Sequence, residues 1–212
     1  MGFNFTPEGL TFKLETAPYQ TLHVNFDCPS LLFRIKRARH QGDPLLKALA
    51  LKPNQYRKIV DATAGLGQDS FLLAALGHTV TLIERDERIY YLLQDGLKRA
   101  QHHEAVISRM SLHLGQAEDL LDTLKPVSHI YLDPMFPAKK KSALSNQSME
   151  ILKQLLDLDD QPNLLLKAKT IASERIVVKR PKHAPFLGNM TPSFSHQYRS
   201  CRFDIYLNHQ SA

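Results

Sequence analysis

The pattern of apolar and polar positions changes near residue 58, beyond which short apolar runs alternate with segments of helical spacing. Apolar runs bounded by turn residues are typical of buried strands, whereas apolar residues that recur every three or four positions indicate helices. The pattern predicts strands at 58–61, 79–84, 111–114, 129–132 and 175–179, and helices at 70–76, 86–100, 117–124, 149–156 and 163–172. Because strands and helices alternate, we expect an α/β fold whose mostly parallel sheet is covered on both faces.

The two ends of the chain differ, because apolar and polar residues tend to alternate there. This period of two predicts strands at 10–14 and 22–26, and a C-terminal antiparallel hairpin within 194–207. Asp43 and Pro44 are suited to begin a short helix that runs to residue 51. We therefore divide the chain into a small β-rich N-terminal appendage at 1–40 and a main domain at 41–212. Periodicity does not give the order of the strands in space.

Composition excludes several classes of protein. The chain has 212 residues, of which 43% are hydrophobic and 23% charged, as in ordinary globular proteins. No apolar run approaches the roughly 20 residues that cross a bilayer, and the start lacks the features of a secretion signal, so we expect a cytoplasmic protein without membrane association. Two cysteines fit free thiols in a reducing compartment. The histidines show no metal-ligand spacing, so we expect no metal, and a monomer is favoured.

Positive charge is clustered along the chain. The formal net charge is +6 and the isoelectric point is about 9.3. The clusters are Arg34, Lys36, Arg37 and Arg39; Lys139, Lys140 and Lys141; and six Lys or Arg residues from Arg175 to Arg202 without an Asp or Glu. Such clusters are often solvated surface, but three of them favour a nucleic-acid partner.

A glycine turn follows the strand predicted at 58–61, and Asp61, Gly65, Gly67, Gln68 and Asp69 lie in it. The glycines permit a sharp turn and a close approach of the backbone to a ligand. The third glycine of a dinucleotide fingerprint is replaced by serine, and the lysine of a P-loop is absent. Because Asp61 can meet a cationic amino group directly or through water, the turn fits an amino-acid-bearing nucleoside better than a pyrophosphate.

Further candidate contacts follow the neighbouring strands, whose carboxyl ends should share one rim of the sheet. Glu84 ends the second strand at the spacing expected of an acid that binds ribose hydroxyls. Gln116 and Ala117 follow the third strand, where they can border an adenine ring. The alternative for Glu84 is a salt bridge with Arg85 or Arg88.

The fourth strand leads into Asp133-Pro134-Met135-Phe136-Pro137. An acid, two prolines and an aromatic make a rigid loop with few hydrogen-bond donors. Asp133 and the carbonyl of Pro134 can accept hydrogens from the exocyclic amine of a nucleobase, and Phe136 can stack on its ring. The alternative is an ordinary turn, since Asp-Pro often begins one.

Together these residues resemble the class I methyltransferases, which have a Rossmann-like fold and bind S-adenosylmethionine. More narrowly, they are similar to the ribosomal small-subunit methyltransferase J family. The resemblance runs from about residue 58 to residue 206 and is carried by the glycine turn and by residues 82–85, 131–137, 141–144, 177–181 and 202–206.

The resemblance implies methyl transfer to the N2 amine of one guanine in small-subunit (16S) ribosomal RNA, either free or in the 30S subunit. The family's cofactor contacts fall on Gln68, Asp69, Glu84, Arg85, Gln116, Ala117 and Asp133. Two departures are that Gln68 stands where the family turn usually has Arg, and that residues 115–117 replace small and hydroxyl residues. The basic clusters, including Lys179, Arg180 and Lys182, are expected to contact phosphates.

Three alternatives remain open at this stage. An adenine-N6 methyltransferase of DNA or RNA also combines an acid or amide with proline and an aromatic, although Met135 and Pro137 lean away from it. A non-catalytic RNA-binding factor for ribosome assembly could keep a relic cofactor pocket. A nicotinamide-dependent oxidoreductase is disfavoured by Ser70, which occupies the third glycine position.

Overall fold

The structure is a computed structural model that describes residues 2–13, 21–52, 55–124, 127–135, 152 and 162–208. Near the N-terminus, strands β1 (Gly2–Thr6), β2 (Gly9–Lys13) and β3 (Thr21–Leu22) form a small antiparallel sheet. The strands of the central sheet are β4 (Lys58–Asp61), β5 (Thr79–Glu84), β6 (Met110–Leu114), β7 (Val127–Leu132), β8 (Ala172–Pro181), β9 (Phe194–Gln197) and β10 (Cys201–Leu207).

The central sheet has the order β6-β5-β4-β7-β8-β10-β9. The first five strands run parallel, whereas β10 pairs antiparallel with both β8 and β9. This arrangement confirms the expected α/β fold with a mostly parallel sheet, a C-terminal antiparallel hairpin and a small N-terminal sheet. It also supplies the strand order, which periodicity could not give.

Helices cover both faces of the sheet. The α-helices among the described residues are α1 (Pro29–Gln41), α2 (Pro44–Ala48), α3 (Gln68–Ala75), α4 (Glu87–Arg99), α5 (Glu104–Ile107), α6 (Ala117–Leu120) and α7 (Pro162–Ile171), with short 3-10 helices at Ala100–His103, Leu121–Leu124 and Leu187–Asn189. None of the helices in these ranges is long and apolar enough to cross a bilayer.

The buried side chains form one cluster on each face of the sheet. Neighbouring residues of β4 point to opposite faces, so Ile59 joins the cluster that packs against α1 to α4, and Val60 joins the cluster that packs against α6 and α7. Phe203 and Ile205 of β10 lie buried in the first cluster, and Leu207 packs against it, as the hairpin pattern predicted. The sheet is therefore covered by apolar side chains on both faces, as a parallel sheet requires.

The N-terminal region departs most from the predicted elements. The strand expected at 22–26 is limited to Thr21–Leu22, because residues 23–26 have no regular structure. Helix α1 was not predicted, and its buried Leu31, Ile35 and Ala38 join the first core cluster. The division at residue 40 stays a prediction.

Elsewhere the predicted elements lie within a few residues of the observed ones. The short helix begins at Pro44 as expected, and the Asp43 carboxylate caps it by accepting a hydrogen bond from the Leu45 amide at 2.9 Å. The helix predicted at 117–124 is an α-helical turn followed by a 3-10 turn. The helix predicted at 149–156 falls almost wholly outside the described residues.

Candidate active site

The carboxyl ends of β4, β5, β6 and β7 meet at one rim of the sheet and carry most of the predicted site residues. Asp61 ends β4, Glu84 ends β5, and Asp133 follows β7. Three hydrogen bonds join these ends: the Ala62 amide to the Tyr131 carbonyl, the Ala64 amide to the Ile83 carbonyl and the Gly115 amide to the Glu84 carbonyl, each at 3.0 Å. The rim that the sequence predicts is therefore present.

The glycine turn is fixed by two residues with positive φ. Gly65 has φ of 53° and Gly67 has φ of 72°, a region that costs other L-residues about 1–2 kcal/mol. The Gly65 amide donates to Oε2 of Glu84 at 2.8 Å, which fastens the turn to the end of β5. Gly67 is the N-cap of α3, so the turn leads directly into that helix.

The two glycines face different surroundings. A Cβ atom on Gly67 would lie 2.6 Å from Leu93 Cδ1 and 3.3 Å from Phe26 Cζ, both in buried side chains. A Cβ atom on Gly65 would meet nothing nearer than the Thr63 carbonyl oxygen at 3.9 Å. Gly67 is therefore required for packing, whereas Gly65 borders an open space that a ligand can enter.

Asp61 lies beneath the turn and is only 2% exposed. Its Oδ2 accepts from the Ser70 hydroxyl at 2.6 Å, and its Oδ1 accepts from the Thr63 amide at 3.2 Å. Burial, with a smaller contribution from the nearby charge of Asp69, raises the pKa of Asp61 to about 7. These contacts shape the turn, and a contact between Asp61 and a ligand stays a prediction.

Glu84 is buried and accepts two backbone hydrogen bonds, from Gly65 and, at 2.9 Å on Oε1, from Asp86. Burial raises the pKa of its carboxyl, while both hydrogen bonds oppose the shift. Arg88 pairs with Asp86 at 2.5 Å. Each oxygen of a carboxylate has two lone pairs, so Glu84 can still accept from ribose hydroxyls.

The remaining predicted contacts lie around the same rim. Arg85 follows Glu84 and is half-buried, and Gln68 is exposed at the first position of α3. Gln116 is exposed at the N-cap of α6, and Ala117 is buried behind it. Gly115 has φ of 147°, which turns the chain from β6 toward this position. Their contacts with a cofactor stay predictions.

A network of charged side chains, which the sequence did not reveal, links α1 to the loop that contains Asp133. Arg34 binds Asp43 through Nε and Nη2 and reaches Oδ1 of Asp69 through Nη1 at 2.5 Å. Lys179 Nζ lies 3.2 Å from Oδ2 of Asp69 and 2.8 Å from Oδ2 of Asp133. Lys179 and Arg34 together hold the pKa of Asp69 well below its usual range, although burial opposes them.

Two further hydrogen bonds belong to this network. The buried Tyr131 hydroxyl donates to Oδ2 of Asp69 at 2.7 Å. The Asp133 amide donates to the Thr63 hydroxyl at 2.6 Å, so the loop after β7 is tied to the glycine turn. Asp69, which the resemblance assigns to the cofactor, thus already holds three partners: Arg34, Tyr131 and Lys179.

Asp133 presents a partly exposed carboxylate at the rim. Its side chain is 38% exposed, and Lys179 occupies Oδ2. Among the described residues, Oδ1 of Asp133 receives no hydrogen bond. Burial raises the pKa of Asp133, and Lys179 opposes that shift. Pro134 is buried beside it, whereas Phe136 and the cluster Lys139–Lys141 lie outside the described residues.

Comparison with known proteins assigns the chain to a family. The family model SAM_MT, described as "Putative SAM-dependent methyltransferase", matches residues 1–208. The chain belongs to this family. Its cofactor is therefore S-adenosylmethionine, and the chain is a methyltransferase, as the resemblance implied.

Individual relatives agree with this assignment. The chain is 42% identical over 202 residues to the ribosomal RNA small subunit methyltransferase J of Haemophilus ducreyi, covering 92% of this chain and 80% of the relative. It is 40% identical over 201 residues to the protein of that name from Histophilus somni strain 129Pt, with 92% and 79% covered. A crystal structure of an S-adenosylmethionine-dependent methyltransferase from Neisseria gonorrhoeae superposes with a TM-score of 0.74 at 31% identity, covering 96% of this chain and 81% of that one. The fold is therefore that of the class I methyltransferases.

The residues at the rim fit S-adenosylmethionine. Open space in front of Gly65 admits the ligand to the turn, and Glu84 offers lone pairs for a ribose diol. The partly exposed carboxylate of Asp133 lies at the same end of the sheet, and a carboxylate attracts a ligand with a sulfonium and an ammonium group.

The expected phosphate contacts of the third basic cluster need revision. Arg180 is 1% exposed, and its Nε and Nη2 donate to the Pro185 carbonyl at 3.2 Å, so its side chain is inside the protein. Arg202 is buried against Asp204, with distances of 2.7 and 2.8 Å. Lys179 is held by the two carboxylates described above. The hypothesis that Arg180 binds phosphate is therefore wrong. Lys179 is 32% exposed and Lys182 is exposed, so their contacts with phosphate stay predictions.

Away from the rim, the structure brings together Asp27, His102 and His103. The side-chain atoms of these residues that could bind a metal ion lie within 4.8 Å of one another. Both imidazole Nε2 atoms contact Oδ1 of Asp27, at 2.9 and 2.8 Å. This contact ties the segment before α1 to the 3-10 helix that follows α4.

Proposed function

We propose that this methyltransferase transfers a methyl group to the exocyclic N2 amine of a guanine in small-subunit ribosomal RNA. Relatives of about 40% identity over most of the chain are named ribosomal RNA small subunit methyltransferase J. An RNA substrate also agrees with the net charge of +6. A cytoplasmic location and action as a monomer on free RNA or the 30S subunit are part of the same proposal.

The observation that carries the proposal is the position of Asp133. Its carboxylate lies at the carboxyl end of β7, is tied through its amide to the glycine turn and is partly exposed. Lys179 binds Oδ2, which leaves Oδ1 as an acceptor for an amine N–H. An amine held there lies beside the cofactor turn, which is the arrangement that methyl transfer needs.

When bound, S-adenosylmethionine supplies a methyl group on a sulfonium, which an amine can attack without metal assistance. Asp133 orients the amine and, by accepting its hydrogen, directs the nitrogen lone pair away from the base ring. The Pro134 carbonyl accepts the second amine hydrogen, and Phe136 stacks on the base. As the N–C bond formed, the bond between the methyl carbon and the sulfonium sulfur would break and S-adenosylhomocysteine would leave. The methylated nitrogen would then lose one proton to solvent water, so no strong general base is required. Positioning supplies most of the rate in this scheme.

Asp133→Ala tests this assignment. We expect it to abolish transfer while the protein stays folded, because the side chain is partly exposed and Lys179 keeps its contact with Asp69. The matched control is Asp122→Ala. It removes an exposed carboxylate beside Lys167, on the face of the sheet that α6 and α7 cover. Transfer of labelled methyl groups to naked small-subunit RNA and 30S particles is measured, and mass spectrometry identifies the modified nucleoside.

Each alternative outcome has a distinct meaning. Turnover near wild type in Asp133→Ala removes Asp133 from the reaction. Methylated adenine in place of guanine favours an adenine-N6 enzyme. Cofactor binding without turnover on RNA, 30S particles or DNA favours a non-catalytic assembly factor.

A further inference from the structure

Helix α1 lies beside α3 and begins near the active rim. Arg34 of α1 reaches Asp69 in the first turn of α3, and Arg39 Nη2 donates to the carbonyl of Ala75, the last residue of α3, at 3.2 Å. The two helices therefore run in the same direction. Since α3 starts directly after the glycine turn, the N-terminal half of α1 lies at the rim, and its C-terminal half leads away from it.

The helix has two faces of opposite character. Leu31, Ile35 and Ala38 face the core. On the opposite side lies a row at helical spacing, which we call the outer stripe: Phe33, Lys36, Arg37 and His40, all exposed. The row begins with an aromatic ring at the end of α1 nearer the rim and continues with cationic side chains.

The outer stripe has the chemistry of a surface that binds single-stranded RNA. Phe33 is 65% exposed, so packing against the described residues does not account for it. Helix α1 contains no Asp or Glu, so Lys36 and Arg37 face no acid on their own helix. Aromatic rings that stack on bases, together with cations that follow the phosphates, are the usual means of holding a single strand.

The stripe is also connected to the catalytic loop. Arg34, which follows Phe33 directly, binds Asp69, and Asp69 shares Lys179 with Asp133. Three ion pairs therefore join the residue next to Phe33 to the carboxylate that would receive the target amine.

We propose that the outer stripe binds the RNA strand next to the target nucleotide, with Phe33 stacked on a flanking base and Lys36 and Arg37 on phosphates. This inference rests on the proposed function, since it requires an RNA substrate. It assigns the stripe to substrate binding and leaves the reacting atoms to Asp133.

The test compares Phe33→Ala and the double variant Lys36→Ala/Arg37→Ala with matched controls on the other face of the sheet. The controls are Leu166→Ala, which removes an exposed apolar side chain of α7 (54% exposed), and Lys58→Ala/Lys169→Ala, which removes two exposed positive charges. For each protein, small-subunit RNA affinity is measured at several salt concentrations, together with KM, kcat and S-adenosylmethionine affinity. Circular dichroism melts check folding.

We expect Phe33→Ala to weaken RNA binding about tenfold, since loss of one base stack has an effect of that order. Lys36→Ala/Arg37→Ala should lower the slope of log affinity against log salt by about 1.4, because each lost phosphate contact on a single strand contributes about 0.7. In both variants KM for RNA rises, whereas kcat at saturating RNA and cofactor affinity stay the same. The controls bind like wild type.

Two results would overturn the inference. If the wild-type protein methylates small-subunit RNA and the stripe variants bind it as tightly as the controls, the stripe is not the docking surface, while the proposed function stands. If the wild-type protein does not methylate this RNA at all, the proposed function fails and the inference fails with it.

Discussion

Replacing Gly65 or Gly67 with alanine should separate ligand binding from packing within one turn. Both residues have positive φ, so each substitution costs about 1–2 kcal/mol of backbone strain. Only at Gly67 does the new methyl group meet buried side chains, 2.6 Å from Leu93 and 3.3 Å from Phe26. Forcing an extra methyl group into a packed core costs typically about 1–3 kcal/mol more.

The expected total is therefore about 2–5 kcal/mol for Gly67→Ala and about 1–2 kcal/mol for Gly65→Ala. In a chain of this size each kcal/mol lowers Tm by about 2–4 °C, so Gly67→Ala should melt roughly 2–12 °C below Gly65→Ala. Calorimetry should show that Gly65→Ala weakens S-adenosylmethionine binding more than Gly67→Ala does, because the methyl group added at Gly65 lies in the open space beside the turn. Gly65→Glu should abolish cofactor binding altogether.

The measurements are urea and thermal unfolding followed by circular dichroism, and calorimetric titration with S-adenosylmethionine. Unchanged cofactor affinity in both Gly65 variants would show that the turn does not border the cofactor. Equal stability of the two alanine variants would show that the packing difference between the glycines is incorrectly described.

Three further predictions concern charge. Lys179→Met removes the ammonium group that lowers the pKa of Asp133, so the acid limb of the kcat/KM profile should move to higher pH; an unchanged profile would refute the coupling. Burial raises the pKa of Asp61 to about 7, so a cationic ligand beside it should lower that pKa and release protons near pH 7, as calorimetry in buffers of different ionisation enthalpy can detect, and Asp61→Asn should lose the release. The hydrogen bond to Asp27 raises the pKa of His102, so this contact should stabilise the fold below about pH 6.5 and be lost as the pH rises through the His102 pKa. In Asp27→Asn the NMR titration of His102 should move to lower pH, and no movement would contradict the contact.

The rim could be predicted because it depends on local sequence signals. A glycine turn after a buried strand, an acid at the end of the next strand and an acid followed by proline after β7 each stand within a few residues of the element that positions them. Parallel strands then bring those ends together whatever the order of the strands. Glu84 and Asp133 therefore lie where the pattern placed them, although their distances from one another do not follow from it.

Helix α1 was missed because two sets of apolar residues overlap in it. Leu31, Ile35 and Ala38 have helical spacing, but Leu32 and Phe33 interrupt the pattern with exposed apolar side chains. The ends of the helix did carry signals: Pro29 at the first position and Gly42 just past the last, with φ of 79°. End signals identify this helix better than periodicity does.

The network of ion pairs at the site could not be predicted from the sequence, because its residues are far apart along the chain. Arg34, Asp69, Asp133 and Lys179 meet only because α1, α3, β7 and β8 pack at one rim. A run of positive residues shows where cations occur but not which carboxylates they face. The hydrogen bond from Tyr131 to Asp69 could not be predicted either, because the position of Tyr131 in an apolar strand indicates only that it is buried.

This distinction changes how the basic character of the chain relates to RNA binding. Arg34, Lys179 and Arg202 bind carboxylates within the protein, and Arg180 is buried against a backbone carbonyl. These cations stabilise the fold and the catalytic loop, so they add little to the field that reaches a phosphate. Within the described residues, the positive surface near the rim is therefore narrower than the sequence clusters indicate. That restriction is what makes Lys36 and Arg37, exposed on a helix without acids, the decisive residues for testing where the RNA strand lies.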